Sequence, residues 1–281
     1  MKNFLTCLAI ILFSTLVHAQ NNPKKLSATD SLKVKTYWDS ANYCKLFSVQ
    51  RQLYLDSALA IMPWNAFYWQ QKAMPLYKQK KYEIALPYLD SAVKYNRKKY
   101  MDYRAFMKCI FQKSYSAAIS DFNEAEVLSP NGYVMDHSYH FYKGLCYLQL
   151  NQFDSSIALI KRSIDYRIKA FDENWVHYLE WLYLGINYYE LTDYKKAITL
   201  FDAALKGYPN FPEANYYKSL CLININQKEK ALELLKKTNQ DLMSGYSINE
   251  DNSIYEDYPY QVKTKWITVN INRLEEEILK K

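Results

Sequence analysis

The residues best suited to metal chemistry lie between positions 136 and 140, where Asp136 precedes imidazoles at His137 and His140. A three-residue spacing can place both imidazoles on one face of a helix. The stretch lacks the H-E-x-x-H pattern of zinc enzymes, and the surrounding sequence offers no evident third ligand. We therefore predict that the protein binds no metal ion and no cofactor.

A second stretch with ligand-forming side chains, NEDNSIYED, covers residues 249–257 and could suggest a calcium loop. It lacks the glycine that an EF-hand loop needs for its sharp turn. Counting from Asn249, Tyr260 stands where such a loop has its bidentate glutamate. We predict an acidic, solvated loop instead.

Motifs for catalysis are also missing. The sequence contains no G-x-S-x-G elbow, no phosphate-binding loop and no dinucleotide fingerprint. Its four histidines leave little material for acid–base chemistry, although 29 acidic residues could form a carboxylate pair. We predict no catalytic residues and no enzymatic activity, with an envelope hydrolase using such a pair as the third and weakest alternative.

Composition favours a helical protein. Hydrophobic residues make up 49% of the chain, whereas it has only 5 glycines and 8 prolines. So few glycines argue against a β-sandwich or barrel with many tight turns. The net charge of +7 comes from lysines interspersed with acids, without the basic stripe typical of nucleic-acid binding.

The first residues have the three parts of a secretory signal. Lys2 supplies the positive charge, residues 4–17 are mostly apolar, and small residues flank His18 before Gln20. The apolar run of about 14 residues is shorter than the roughly 20 that span a bilayer. We predict a signal peptide over residues 1–19, a linker over 20–31, and an exported protein that is periplasmic or secreted, with no membrane-spanning segment after cleavage.

Four cysteines remain after that cleavage: Cys44, Cys109, Cys146 and Cys221. Their spacing includes no C-x-x-C, so neither a redox pair nor a zinc ribbon is indicated. All four lie in apolar runs, which favours buried thiols. An exported protein could also form a disulfide between two of them.

One short phrase recurs along the chain. It reads LDSAL at 55–59, LDSAV at 89–93, FNEAE at 122–126, IKRSI at 160–164 and FDAAL at 201–205, and a fainter copy follows at 235–239. The central small residues recur at a basal period of about 34 residues. Two longer gaps place insertions near NGYVMDH and AFDENWV.

The fifth copy matches the pattern W-x2-L-G-x2-Y…A-x3-F…P, and so resembles the tetratricopeptide repeat family. Its matching residues are Trp181, Leu184, Gly185, Tyr188, Ala197, Phe201 and Pro209. The resemblance implies an all-α solenoid of five to six antiparallel helix pairs in a right-handed superhelix with a concave inner face. The predicted units cover 32–65, 66–98, 99–136, 137–177, 178–211 and 212–240, followed by an acidic, Tyr-rich loop over 241–260 and a C-terminal capping helix over 261–281.

Three local predictions follow from the fifth unit. Gly185 and Ala197 should meet where the two helices cross. Thr192 and Asp193 should form the turn between the helices and the cap of the second helix. Gly207 should end that second helix in a left-handed conformation.

In the family, the first helix of each pair lines the concave face. This correspondence predicts a protein-binding groove lined by Tyr77, Tyr100, Tyr103, Met107, Phe111, Phe141, Leu182, Tyr189, Glu190, Tyr216 and Asn224. We expect a non-catalytic scaffold of the cell envelope that binds a peptide or helix of a partner protein in this groove. The alternative is an assembly subunit that docks through its convex face or its C-terminal tail. Whether the C-terminal helix caps the stack or occupies the groove stays open at this point.

Overall fold

The structure, a computed structural model, describes residues 25–280 and is mainly helical in that range. The predicted signal peptide lies outside the described residues. The helices are α1 (Ala28–Tyr43), α2 (Val49–Ile61), α3 (Ala66–Lys78), α4 (Tyr82–Tyr95), α5 (Arg97–Ile110), α6 (Tyr115–Leu128), α7 (Tyr139–Gln149), α8 (Phe153–Ala170), α9 (Tyr178–Glu190), α10 (Tyr194–Gly207), α11 (Pro212–Asn224), α12 (Lys228–Met243) and α13 (Thr264–Leu279). The all-α prediction is confirmed. Helix α1 begins inside the segment predicted as a linker, because Ser27 caps it by accepting a hydrogen bond from the Asp30 amide.

The first helix of five successive pairs ends in the same way. Each is followed by one residue in the left-handed conformation, with φ between 56° and 62°: Lys80, Lys113, Asn151, Thr192 and Asn226. After Thr192, the Asp193 amide donates to the Tyr188 carbonyl at 2.8 Å, which closes a Schellman motif. The Asp193 side chain then caps α10 by accepting a hydrogen bond from the Lys196 amide, as predicted.

The prediction for Gly207 is wrong. This glycine is the last residue of α10, and Gly245 is the only glycine of the described residues with a positive φ. The following residue, Tyr208, is extended with φ −142°, and its amide donates to the Ala204 carbonyl. An extended cap needs no left-handed residue, so the glycine is not required for its backbone freedom.

The chain divides into two compact units, and the boundary falls inside α3, after Tyr68. In the first, α1 and α2 pack against each other, with Ala41 and Leu55 fully buried. The Arg51 guanidinium in α2 donates to the Ala41 carbonyl at 2.8 Å.

In the second unit, each helix from α4 onward packs against the next one along the chain. The first helices α5, α7, α9 and α11 also contact one another in that order, so they form a continuous layer. Glycines permit close approach within two pairs. A Cβ on Gly185 would lie 2.6 Å from Phe201, and one on Gly144 would lie 2.6 Å from Ile160. The close crossing predicted at Gly185 is confirmed, although its nearest neighbour is Phe201 and not Ala197.

The two insertions form small structures of their own. The first is a hairpin in which β1 (Tyr133–Val134) pairs antiparallel with β2 (His137–Ser138). The second contains a 3-10 turn at Glu173–Trp175. Both lie where the long gaps between repeats predict them.

The C-terminal helix α13 packs against α12. Its Ile267 and Leu274 are fully buried, and Glu277 forms an ion pair with Lys228 at 2.7 Å. Helix α13 therefore caps the last helix pair. Within residues 25–280, no helix combines the length and the apolar character needed to cross a bilayer.

Candidate functional site

The segment between α12 and α13 lies along the layer of first helices. We call residues 246–262 the strap; they contain neither helix nor strand. The Tyr183 hydroxyl in α9 donates to the Pro259 carbonyl at 2.9 Å, and the Tyr208 hydroxyl donates to the Ser247 carbonyl at 3.3 Å. The Tyr178 hydroxyl accepts from the Asn249 amide at 3.2 Å. Tyrosines of the helical layer therefore bind main-chain groups of the strap.

A buried carboxylate anchors both ends of the strap. Glu213, near the start of α11, accepts hydrogen bonds from the Ser247 hydroxyl at 2.9 Å and from the Val262 amide at 3.4 Å. Burial raises the pKa of Glu213, and these hydrogen bonds only partly offset that effect. The N-terminal turn of the helix favours a negative charge at this position.

The strap carries four acids and no base, and basic residues meet one end of it. Glu256 lies 3.4 Å from the Lys80 ammonium and 3.9 Å from that of Lys113, and it accepts a hydrogen bond from Tyr82. Lys78 lies over the ring of Tyr255, 4.3 Å from its centroid. The acidic strap and the lysines Lys78, Lys80 and Lys113 are therefore complementary in charge.

Apolar side chains of the strap are buried as deeply as those of the helices. Tyr258, Ile248 and Val262 are each no more than 3% exposed. The ring of Tyr260 packs edge-on against Tyr217 at 5.6 Å, and its hydroxyl donates to Glu190 at 2.9 Å. The prediction of a merely solvated acidic loop is wrong, because this segment covers the aromatic residues of the first helices.

The residues predicted to line the groove are mostly inaccessible. Seven are buried: Tyr77, Tyr100, Met107, Phe111, Phe141, Leu182 and Tyr216. Tyr103 and Tyr189 are partly buried, while Glu190 and Asn224 are exposed. Glu190 contacts the strap directly, and Tyr216 accepts a hydrogen bond from Asn270 of α13. Their role in binding a partner stays a prediction.

The sequence pattern does not single out the residues that hold the strap. Tyr178, Tyr183, Tyr208 and Glu213 bind it, yet the repeat pattern gives them no distinguishing signal. The strap itself carries a signal that could indicate its position. Its acids and tyrosines are complementary to the lysines Lys78, Lys80, Lys81 and Lys113.

His137 and His140 lie on different elements and have different carboxylate neighbours. His137 lies on β2, one residue before α7 is capped, so the helical spacing to His140 does not apply. His140 lies 3.1 Å from Glu126, whereas His137 lies 3.2 Å from Glu250 of the strap, and its ring centroid is 4.8 Å from that of His177. Burial lowers the pKa of His177 to about 3, and the neighbouring His137 and Arg167 add to the effect.

The sequence itself supports the repeat assignment. The family model described as "Tetratricopeptide repeat" matches residues 188–242, from the end of α9 into α12. Residues 188–242 therefore carry the tetratricopeptide repeat signature, in agreement with the repeated helix pairs of the described residues. No curated protein sequence matches this chain.

Solved tetratricopeptide repeat structures share the fold at low sequence identity. The type IV pilus biogenesis factor PilW superimposes with a TM-score of 0.60 at 14% identity, over 77% of this chain and 95% of that one. A tetratricopeptide repeat protein from Parabacteroides merdae gives 0.60 at 12% identity, over 89% and 100%. MamA from Desulfovibrio magneticus gives 0.53 at 15% identity, over 64% and 96%. The described residues thus have the fold of a tetratricopeptide repeat solenoid.

Proposed function

We propose that the protein is a non-catalytic scaffold of the cell envelope whose groove binds a non-helical, acidic peptide of a partner protein. One observation carries the proposal: the groove already holds such a peptide, the strap. The partner segment would take the place of part of the strap.

The chemistry of the strap contacts favours exchange with another peptide. Tyr183 and Tyr208 bind main-chain carbonyl groups, which every peptide offers. Lys80 and Lys113 add a preference for an acidic residue at one end. Main-chain hydrogen bonds supply affinity while side-chain contacts supply specificity, as in other modes of peptide recognition.

Competition with the strap sets the strength of binding. A partner that enters the groove binds only the fraction of molecules whose strap has opened, and its apparent affinity falls by that fraction. A substitution in the strap itself weakens only the strap and should therefore increase partner binding. A substitution in the helices at a contact that strap and partner share weakens both, and should not increase it.

This difference gives the test. A labelled peptide with the sequence of residues 246–262 serves as the probe, and its binding to the full chain is measured by fluorescence anisotropy. The variant Tyr260→Phe removes the hydrogen bond from the strap to Glu190, about 1 kcal/mol, so peptide binding should rise about fivefold. Tyr183→Phe removes a donor that both peptides need, so it should give no comparable rise.

The exposed Tyr246→Phe is the matched control and should bind the probe like the parent protein. If Tyr260→Phe keeps its fold and its melting temperature falls, yet probe binding stays at the parent level, the groove does not exchange its occupant. The proposal would then be wrong.

Export is part of the same proposal and is supported by the signal-like sequence of residues 1–19. The expected result is a protein recovered from the periplasm or medium of a Gram-negative host with Gln20 as its first residue. Intact Met1 in the cytoplasmic fraction would contradict it. N-terminal mass spectrometry of each fraction gives the answer.

We propose that the protein is not an enzyme because its buried acids have ion-pair or hydrogen-bond partners. Asp121 lies 2.8 Å from Arg104 and 2.7 Å from Lys108, and Glu180 lies 3.3 Å from Arg167. Each of these buried carboxylates is thus engaged by bases, and that of Glu213 by the strap. None of these contacts joins two carboxylates, which supports the proposal over a hydrolase with a carboxylate pair.

A second candidate function is docking outside the groove, favoured by exposed aromatic residues on the two insertions and on α8. Phe171 and Trp175 are each 64% exposed and pack together at 5.6 Å, with Tyr133 and Tyr166 also exposed. The double variant Phe171→Ser, Trp175→Ser should abolish capture of an envelope partner if this surface docks it. Peptide binding in the groove should be unchanged, so the two functions are distinguishable.

A further inference from the structure

The strap meets two histidines of the helical unit at a point that the groove contacts do not explain. His137 comes from β2, His177 precedes α9, and Glu250 comes from the strap. One ligand-forming atom from each residue lies within 4.8 Å of the other two. We propose that these three side chains form a binding site for Zn²⁺ or a similar divalent transition metal.

The geometry is close to that of a metal site before the ion enters. Zinc–ligand bonds of about 2.0–2.2 Å allow donor atoms to be at most about 4 Å apart. The His137–Glu250 pair, at 3.2 Å, already meets this limit. A tetrahedral ion with such bonds sets its donor atoms about 3.4 Å apart, so the widest pair, at up to 4.8 Å, must close by about 1.4 Å when the ion binds.

The His137 ring is buried and held so that one of its nitrogens faces the strap carboxylate. His137 is fully buried, and its Nδ1 has no hydrogen-bond partner among the described residues. Phe141 stacks on one face of the ring at 4.3 Å and fixes its orientation. The two ring nitrogens point in different directions, so Nε2, which lies 3.2 Å from Glu250, is the nitrogen that would share an ion with that carboxylate.

His177 is held in place but remains able to coordinate. Its Nδ1 accepts a hydrogen bond from the Leu179 amide at 3.4 Å, at the N-terminus of α9. A hydrogen bond of that length is weak and can yield to a metal–ligand bond. The Tyr178 ring packs beside the imidazole at 4.2 Å and restricts its rotation.

A polar cavity of about 130 Å³ adjoins the cluster. It is lined by His177 and Glu250 together with Asp136, Asn249 and Asp251, so it offers further oxygen atoms and room for water as a fourth ligand. Arg167, whose charge also acts on His177, pairs with Glu180 at 3.3 Å and donates a hydrogen bond to the Asp136 carbonyl at 3.1 Å.

The ligand set selects the class of metal. Two imidazoles and one carboxylate suit zinc, cobalt or nickel, whereas calcium and magnesium prefer oxygen ligands throughout. A bound ion would join the strap, through Glu250, to β2 and to the start of α9. It would stabilise the closed strap by mass action, whether or not a partner ever enters the groove.

The test uses the full chain, stripped with a chelator and titrated with ZnCl₂ by calorimetry. The parent protein should bind one equivalent, and zinc should raise its melting temperature. Glu250→Gln keeps the shape of the side chain but removes its charge, and should weaken zinc binding about 100-fold or more, since losing even an outer partner of a metal ligand costs 10–100-fold. His177→Gln should give the same loss.

Asp257→Asn is the matched control, because this exposed strap acid lies outside the cluster and pairs with Lys263. It should bind zinc like the parent protein. Circular dichroism of each zinc-free variant shows whether the fold is kept. If His177→Gln fails to fold, Glu250→Gln alone decides.

Three results would overturn the proposal: no zinc binding by the parent protein, parent-level affinity in Glu250→Gln, or a sulfur signal when Co²⁺ replaces Zn²⁺. Thiolate-to-cobalt absorption would place the metal at the buried cysteines instead. A cobalt spectrum with nitrogen and oxygen ligands alone, lost in Glu250→Gln, would support the assigned site.

Discussion

The hydroxyl of Tyr183 donates a hydrogen bond of 2.9 Å to the carbonyl oxygen of Pro259, and both residues are buried. Tyr183 belongs to the first helix of the fifth repeat, while Pro259 lies 76 positions later in the strap. The bond joins a chain segment without regular structure to the layer of first helices. The strap is therefore part of the folded core.

Removing that hydroxyl should weaken the fold by about 1–2 kcal/mol, because Tyr183→Phe leaves the Pro259 carbonyl buried without its donor. Urea unfolding followed by circular dichroism measures the change. Tyr246→Phe removes the hydroxyl of an exposed strap tyrosine and should cost less than about 0.5 kcal/mol. Equal stability of the two variants would mean that the strap does not depend on Tyr183.

The buried carboxylate of Glu213 should make stability depend on pH. Its pKa is raised in the folded state, mainly by burial, so the folded protein holds this proton more tightly than the unfolded chain. The stability from that proton is fully present below the unfolded pKa of about 4.5 and is lost as pH rises through the folded pKa. Glu213→Gln cannot ionise, so its stability relative to the parent should be greater at about pH 7 than at about pH 4.

Unfolding by urea at both pH values tests this sign. Asp202→Asn serves as the control, because this exposed acid pairs with Lys218 at 2.5 Å and should not reproduce the trend. If the stability of Glu213→Gln relative to the parent grows on acidification, the argument is contradicted.

The helices and their pairing could be predicted because they depend on local patterns, whereas the position of α13 stayed open. The spacing of Trp181, Gly185 and Phe201 repeats a known motif, and Asp193 is a good helix cap at the position where the pattern needs one. These signals require only residues that lie within one repeat of each other.

The path of the strap could not be predicted because it depends on contacts between distant positions. Glu250 is 113 residues from His137, and Glu256 is 174 residues from Tyr82. The strap has no periodicity, and its acidic composition equally describes a solvated loop. The spacing of His137 and His140 does not put them on one helix face, since the insertion forms a hairpin that ends only at Ser138.

Gly185 should tolerate no larger residue. A Cβ there would lie 2.6 Å from Cε1 and 2.8 Å from Cδ1 of Phe201, whose ring is fully buried and cannot move away. Gly185→Val should therefore destabilise the protein by about 1–3 kcal/mol.

At Gly207 a Cβ would meet only Tyr178 at an ordinary 3.6 Å, so Gly207→Ala should be neutral or stabilising by up to about 1 kcal/mol. Thermal melts that rank these two variants in the opposite order would refute the packing argument.

Thr192 is the most strained of the five left-handed turn residues. It is β-branched and has φ 60°, a conformation that costs roughly 1–2 kcal/mol for residues other than glycine. Thr192→Gly should stabilise the protein by about 0.5–1 kcal/mol, since glycine relieves the strain but loses more entropy on folding. Asn151→Gly, at the equivalent turn, should change stability less, because asparagine tolerates φ 56° better than threonine. Urea midpoints of the two variants give the comparison, and a larger gain at Asn151 would count against strain as the cause.

Accessibility should divide the cysteines into two reactivity classes. Cys109 and Cys146 are buried with their sulfur atoms 3.3 Å apart, and burial raises the pKa of the Cys146 thiol well above its usual range. Burial also raises the pKa of Cys221 to about 12, whereas Cys44 is only partly buried. Because the thiolate is the reactive form, iodoacetamide should modify Cys44 first in the native protein and the other three only after denaturation. Peptide mass spectrometry before and after urea treatment checks this order. Rapid native labelling of Cys146 would show that the helix pair around it opens far more readily than its packing implies.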